Sequence, residues 1–395
     1  MLIGIVGKTN VGKSTFFKAS TLAEVEIAPH PFTTIKPNEG VGWVRIECVE
    51  KEFGVKCNPA QGFCINSIRF VPIKLMDVAG LVPGAHLGKG LGLQFLDNLR
   101  QADCLIHILD ASGSTNEKGE IVTVGSYDPI FDVRFLEIEL DMWIYGILHK
   151  AWEKIARQAE LEATEVKALL AKQLSGLKIN EEQIKLAIEK VGPDPKRPAT
   201  WRESEQIKLA SELRRISKPM IIAANKCDLP GAEKNIERLK KEFPEYKIIP
   251  CSAEVELALK LAAKNNLIEY IPGESDFKIK ASLSESQLKG LNLAKEVLNK
   301  WHSTGLQQAL DSAVFELLNS IAVWPVPNSK LTDKKGNVLP DCFIIKSNST
   351  TLDLAYAIHT DIGKNFLKAI DVRTKKVIGK EAILKHNDVI EIVTK

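Results

Sequence analysis

The chain has 395 residues, 53 Lys+Arg against 50 Asp+Glu, and 45% hydrophobic residues. That composition excludes a disordered, fibrous or repeat-biased chain, and the length predicts two or three domains. The net charge of +3 names no partner, but residues 322–395 hold 12 basic and 8 acidic side chains, so the whole surplus lies in the tail.

The N-terminus lacks the basic, apolar and small-residue regions of a secretory leader, and no stretch approaches the ~20 apolar residues of a membrane helix. The seven cysteines form no C-x-x-C pair, so reduced thiols in a cytoplasmic protein are expected. Cys48, Cys57 and Cys64 lie close in sequence, but zinc would need a fourth ligand at similar spacing and none stands out. They are read as small apolar fillers, with a Cys57–Cys64 disulfide as the lesser alternative.

Residues 2–6 (Leu-Ile-Gly-Ile-Val) form a short apolar strand, and helical character follows from Thr15. Between them stands Gly7-Lys8-Thr9-Asn10-Val11-Gly12-Lys13-Ser14, a G-x-x-x-x-G-K-S loop in the strand–loop–helix context this motif needs. The backbone of Asn10, Val11, Gly12, Lys13, Ser14 and Thr15 is expected to cradle phosphates at a helix N-terminus. Lys13 is assigned to the β- and γ-phosphates and Ser14 to Mg²⁺. In Pro31-Phe32-Thr33-Thr34-Ile35, Thr34 is chosen over Thr33 as a Mg²⁺ ligand that holds the loop over the γ-phosphate.

Arg69–Met76 is a strand that ends in Asp77-Val78-Ala79-Gly80, a D-x-x-G. Asp77 would hold Mg²⁺ through water, and the Gly80 N–H would sense the γ-phosphate. Cys104–Leu109 is a buried strand carrying His107. Met220–Ala224 is another, and it leads into Asn225-Lys226-Cys227-Asp228, an N-K-x-D. A carboxylate at Asp228 accepts from guanine N1–H and the N2 amino group. Adenine has an acceptor at N1 and no N2 amino group, and a buried polar group left unpaired costs ~1–3 kcal/mol. Asn225 would brace the loop, and the stem of Lys226 would cover the base. Ser252 and Ala253 complete the set, with the Ala253 N–H on guanine O6.

These motifs, in this order, resemble those of the translation-factor-class P-loop GTPases of the Obg superfamily. The closest likeness is to the YchF (Obg-like ATPase) branch in an archaeal form. It rests on the phosphate loop, on Pro31–Ile35 with Pro37-Asn38, and on Asp77-Val78-Ala79-Gly80-Leu81-Val82-Pro83-Gly84-Ala85. Gly88, Gly90, Gly92, Gln94-Phe95-Leu96 and Gly125-Ser126-Tyr127-Asp128-Pro129 with Asp132 extend it over nearly the whole chain. Family members that have lost N-K-x-D prefer ATP. Asn225, Lys226 and Asp228 are intact here, which predicts GTP.

The water-orienting Gln that follows D-x-x-G in many GTPases is Leu81 here, a hydrophobic replacement that the resemblance also implies, so slow intrinsic hydrolysis is expected. Asn10 resembles the asparagine that binds K⁺ in potassium-activated GTPases; a loop-bracing role weighs equally. His107 matches a histidine proposed to assist hydrolysis in the YchF branch, yet a lone His on an apolar strand is more often a core residue. A ribosomal partner is the third source of a catalytic group.

From Gly80 to Asn225 is 145 residues, whereas two crossovers need only about 60. The excess maps to 133–215, where helical recurrence predicts an inserted helical hairpin with a solvated charged face. Helix is expected over Gln158–Leu174, Glu181–Val191 and Ser204–Ile216, with a break at Gly192–Pro195. In the tail, strands are expected at Ile321–Trp324, Cys342–Lys346 and Val389–Val393, and a helix at Thr351–Ile358. Ala357-Ile358-His359-Thr360-Asp361-Ile362-Gly363 resembles the signature of a TGS domain, a ubiquitin-like β-grasp module. Its basic surplus fits RNA, and an intramolecular lid weighs comparably.

The expected architecture is α/β, a P-loop NTPase doubly wound sheet (1–132 and 216–321) with an inserted helical hairpin (133–215) and a C-terminal β-grasp TGS domain (322–395). The expected function is a monomeric, slowly hydrolysing GTPase that binds GTP/GDP with Mg²⁺, with K⁺ as a further candidate, and acts with the ribosome or RNA. An ATPase of YchF type and a nucleotide-gated RNA- or ribosome-binding module are the alternatives.

Overall fold

The structure, a computed structural model, describes residues 1–22, 38–78, 80, 84, 98–162, 164–327 and 330–395. Its main sheet contains β1 (Leu2–Val6), β2 (Glu39–Glu47), β3 (Phe63–Ile65), β4 (Ile68–Asp77), β5 (Cys104–Asp110), β6 (Met220–Asn225) and β7 (Ile248–Pro250), in the order β2-β4-β1-β5-β6-β7. The strands β4, β1, β5, β6 and β7 run parallel. The strands β2 and β3 pair antiparallel to β4 and extend it as a ribbon beyond the end of β1. Parallel strands covered on both faces read as continuous apolar runs. Strand β5 is accordingly buried at every position.

Helix α1 (Lys13–Thr21) follows β1 and buries Phe16 and Ala19 against the sheet. Among the described residues the insertion is four α-helices rather than a plain hairpin: α2 (Ile130–Leu161), α3 (Val166–Leu174), α4 (Glu181–Val191) and α5 (Glu203–Ser217). The helix expected over Gln158–Leu174 is divided, because α2 closes with the Glu162 N–H on Gln158 O and Glu165 is extended. Helix α4 starts in an Asn180–Gln183 capping box and stops at left-handed Gly192. Trp143, Leu148, Trp152, Leu170, Ile184 and Trp201 pack as the core of the insertion. The buried Arg214 of α5 ties it to α2, with Nε on Asp141 at 2.6 Å and Nη2 on Glu137 at 3.0 Å.

Helices α6 (Ala232–Glu242) and α7 (Ala253–Lys264), the hairpin β8 (Ile268–Glu269) and β9 (Lys278–Ile279), and helices α8 (Glu285–Trp301) and α9 (Leu306–Ser312) complete the nucleotide-side unit. Asp311 on α9 accepts from the Arg45 N–H of β2 and from Gln307 Nε2, both at 2.9 Å. Burial pushes its carboxyl up to about 7 against those bonds. The folded state therefore binds this proton more tightly than the unfolded chain, where an Asp titrates near ~3.9. Its stabilising contribution is full below that value and is lost as pH rises towards 7. In urea unfolding at a series of pH values, Asp311→Asn is expected to flatten this decline. An unchanged pH slope would show that Asp311 does not cause it.

A second sheet is formed by β10 (Ser320–Val326), β11 (Phe343–Lys346), β12 (Phe366–Asp371), β13 (Val377–Ile378) and β14 (Val389–Thr394), in the order β11-β10-β14-β12-β13. A parallel β10–β14 pair lies at its centre, with helix α10 (Thr351–Ile358) following β11. This sheet does not stand apart. Ala322 and Trp324 of β10 pack in one cluster with Ile3 and Ile5 of β1 and Leu75 of β4. The segment between β2 and β4 forms the bed of the contact. Asn58 N–H donates to Val338 O and Ala60 N–H to Pro340 O, each at 2.9 Å, and Arg373 grips Glu52 through two nitrogens.

Candidate nucleotide-binding site

Open parallel sheets bind ligands beyond the carboxyl ends of their strands. Here β1, β4, β5 and β6 deliver the 7–14 loop, Asp77, Asp110 and Asn225 to that edge. Two glycines make the loop's path possible. A Cβ on Gly7 would stand 2.4 Å from Ile108 O, and one on Gly12, whose φ is 93°, would stand 2.2 Å from Asn225 Nδ2. Gly12 caps α1, so Lys13, Ser14 and Thr15 form its first turn, with Ser14 exposed.

Lys13 Nζ donates to Val78 O at 2.6 Å and lies 3.6 Å from Asp77 Oδ1. Burial lowers the Lys13 pKa and raises that of Asp77, and each charge opposes the shift of the other. Gly80 sits against Thr9, where a Cβ would be 3.2 Å from Thr9 Cγ2. The D-x-x-G turn therefore abuts the phosphate loop. Thr34 and Leu81 lie outside the described residues.

Asn225 joins two loops. Its Nδ2 donates to Val11 O at 2.7 Å, and its Oδ1 accepts the Ala253 N–H at 3.0 Å. The Ala253 donor expected on guanine O6 is thus bonded to Asn225 in this structure, because the first N–H of a helix seeks a buried acceptor. Ser252 is buried beside it, with an Oγ that has no partner among the described residues. Asp228 is half-buried. Lys226, at a φ of 61°, sends Nζ to Asp110 Oδ2 at 2.8 Å.

Three family profiles match the chain: 50S ribosome-binding GTPase over 2–133, Obg-like GTPase YGR210-like, G4 motif-containing domain over 223–328, and TGS domain over 330–394. A GTP-binding protein of Methanocaldococcus jannaschii is 51% identical across 100% of this chain and 99% of its own. The ribosome-binding ATPase YchF of Mycoplasma genitalium is 30% identical, over 92% of this chain and 86% of its own. The chain belongs to the YchF family of Obg-like P-loop proteins. A solved structure of a GTP-binding protein from Pyrococcus horikoshii OT3 is 39% identical with a TM-score of 0.79, each chain covered to 100%. That of the Schizosaccharomyces pombe YchF GTPase, at 22% identity and a TM-score of 0.61, covers 100% of this chain and 97% of its own and supports the fold.

In this YchF-family chain the residues of 110–132 form a cover over the phosphate loop that motif reading did not assign. Lys8 Nζ is buried between Thr115 O and Asp132 Oδ1, both at 2.8 Å, and lies 3.9 Å above the Tyr127 ring. Burial lowers the Lys8 pKa and raises that of Asp132. Asn10 Nδ2 donates to Gly119 O at 2.9 Å, which is a loop-bracing bond. Burial alone would raise Asp110, but bonds from Lys226, Ser112, Thr115 and Ser114 outweigh it and hold the carboxyl below its usual range. The hint in the sequence was the resemblance at Gly125-Ser126-Tyr127-Asp128-Pro129 with Asp132. Gly84 N–H donates to Glu139 of α2 at 2.8 Å, linking the stretch after D-x-x-G to the insertion.

His107 is 2% exposed on β5, between Val6 and Ile222. Burial, helped by the nearby Lys8 charge, pushes its imidazole down to about 3. Such a ring is a weak base, and its burial in the strand fits a core residue.

Proposed function

We propose that the chain is a guanine-nucleotide switch that hydrolyses GTP slowly and acts with the ribosome. The observation that carries this reading is the intact N-K-x-D loop, with Asn225 bonded to both the phosphate loop and the Ser252–Ala253 turn. These bonds tie the loop that carries Asp228 to the phosphate loop, which supports a base-reading role for Asp228. The names of the relatives divide between GTP-binding protein and ribosome-binding ATPase. The G4 profile match over 223–328 supports guanine.

In this reading the N–H groups of Asn10 through Thr15 bind the phosphates, Lys13 leaves Val78 O to contact the β- and γ-phosphates, and Gly80 and Thr34 report the γ-phosphate. Ser14 and Asp77 suit a hard cation: Ser14 is exposed at the helix start, and Asp77 Oδ1 is buried with no hydrogen-bond partner among the described residues. Mg²⁺ held there, with Thr34, supplies charge neutralisation at the phosphates. With Leu81 after Gly80 there is no Gln to orient the attacking water, and the group that completes the site comes from K⁺ near Asn10, in the electrostatic role of an arginine finger, or from the ribosome.

GTP and ATP turnover, each with and without ribosomes in KCl and in NaCl, tests this directly. The expected result is a low GTP rate that rises at least tenfold with ribosomes, with ATP turned over more slowly. If ATP binds more tightly than GTP, the ATPase reading replaces this one. If ribosomes leave turnover unchanged, a nucleotide-gated binding module with incidental hydrolysis is favoured. A KCl rate equal to the NaCl rate removes K⁺ from Asn10.

A further inference from the structure

We propose that Cys48, Glu50, Cys57 and Cys64 form a structural zinc site that clamps the bed on which the C-terminal sheet rests. The four side chains come from four local settings. Cys48 directly follows β2, Glu50 lies in a single helical turn at Val49–Lys51, Cys57 is in an irregular run, and Cys64 is on β3. The hairpin pairing of β2, β4 and β3 brings them together, so that one ligand atom from each lies within 4.8 Å of all the others. Tetrahedral zinc with Zn–S bonds of ~2.3 Å places its ligand atoms roughly 3.8 Å apart, so a small contraction closes the site. Thiolates with one carboxylate favour zinc over magnesium or calcium.

The surroundings fit an ion. All three thiols are free rather than paired in disulfides. Glu50 is buried, and one oxygen accepts the Cys57 N–H at 2.8 Å while Ser67 also bonds the carboxylate, which orients it beside the thiols. A cavity of 280 Å³ lined by Cys57, Cys64 and Glu50 with Lys56 and Ser67 offers a way in from solvent. Arg69, directly opposite Cys64 in the β3–β4 pair, is fully buried, and its Nε and Nη1 have no partner among the described residues. Three thiolates and a carboxylate around a divalent ion carry a net charge of about −2, and a buried guanidinium beside them offsets part of it. The same loop supplies the Asn58 and Ala60 donors and the Glu52 carboxylate that hold the C-terminal module. The spacing hid this site from the sequence. Eight residues separate Cys48 from Cys57 and six separate Cys57 from Cys64, and the fourth ligand is not a Cys or His.

The test is metal analysis of the full chain, purified without added metal. About one zinc per chain is expected, together with the intense visible absorption of tetrahedral cobalt–thiolate after Co²⁺ exchange. Glu50→Gln should weaken zinc affinity by about 10- to 100-fold in a chelator competition, Cys57→Ser with Cys64→Ser should abolish it, and Cys342→Ala should leave it intact. The cobalt spectrum is read on the unaltered chain and does not depend on whether a variant folds. Zinc well below one equivalent with no cobalt–thiolate band, iron in place of zinc, or a Cys57–Cys64 disulfide in the peptide map would each overturn the proposal.

Discussion

Lys13→Ala is expected to lower kcat/KM for GTP by about a thousandfold, the scale of losing one preorganised donor to a developing charge. In the structure Lys13 is held by a carbonyl and an acidic side chain, Val78 O at 2.6 Å and Asp77 Oδ1 at 3.6 Å. Burial already lowers its proton affinity, so the ammonium is poorly solvated and well placed to exchange these partners for phosphate oxygens. Removing it leaves the partly buried Asp77 without its counter-charge, which weakens nucleotide binding as well as the chemical step. Lys13→Arg should not rescue, because a planar fork cannot reproduce a point charge in a loop this tight. Steady-state kinetics with a fluorescent GTP analogue as a separate binding probe checks both effects. Near-normal turnover in the Ala variant would mean that the 7–14 loop is not where the reaction occurs.

Asp228→Asn is expected to change which base is bound. The carboxylate accepts two hydrogens from guanine, at N1 and at the N2 amino group. The Asn amide presents one acceptor and one donor, so its NH₂ faces the N2 amino group donor to donor. A mispaired polar contact of ~1–3 kcal/mol, more for a charge, corresponds to a GTP affinity lower by roughly 10- to 100-fold or more. Xanthine has a carbonyl at that position and restores the pairing, so xanthosine triphosphate should bind the variant more tightly than GTP does. Titration of the unaltered chain and of Asp228→Asn with GTP, ATP and xanthosine triphosphate reads this directly. If Asp228→Asn leaves the order of the three nucleotides unchanged, Asp228 does not read the base.

The parts of the fold that were legible are those written in local order. Strand β1 with its loop, β6 with N-K-x-D, and the tail strands each pair an apolar run with a motif or turn at a fixed offset. The division of the insertion at 162–165 was not legible, because Glu162-Ala163-Thr164-Glu165 contains neither Gly nor Pro and the helical pattern runs through it. At the site, the phosphate loop and Asn225 announce themselves by sequence. The Lys8–Asp132 pair spans 124 positions, and the Lys226–Asp110 pair spans 116. No periodicity carries information over such a distance. Glu50 shows the same limit in small, for a glutamate beside a cysteine becomes a candidate ligand only once the sheet has folded.

Trp324 shares its apolar cluster with Ile3 and Ile5, so the first strand of the chain and the first strand of the last module complete one another. On the ribosome the two are made far apart in time. At ~5–20 residues per second, the roughly 320 intervening residues take on the order of 15–60 s to synthesise. Over that interval Phe16 and Ala19 of α1, and then Leu306 and Leu310 of α9, cover Ile3 and Ile5, and the module of Trp324 closes the cluster last, a long-range closure of the kind that slows folding. A cluster opened by the first strand of the chain is thus finished only by its last fifth.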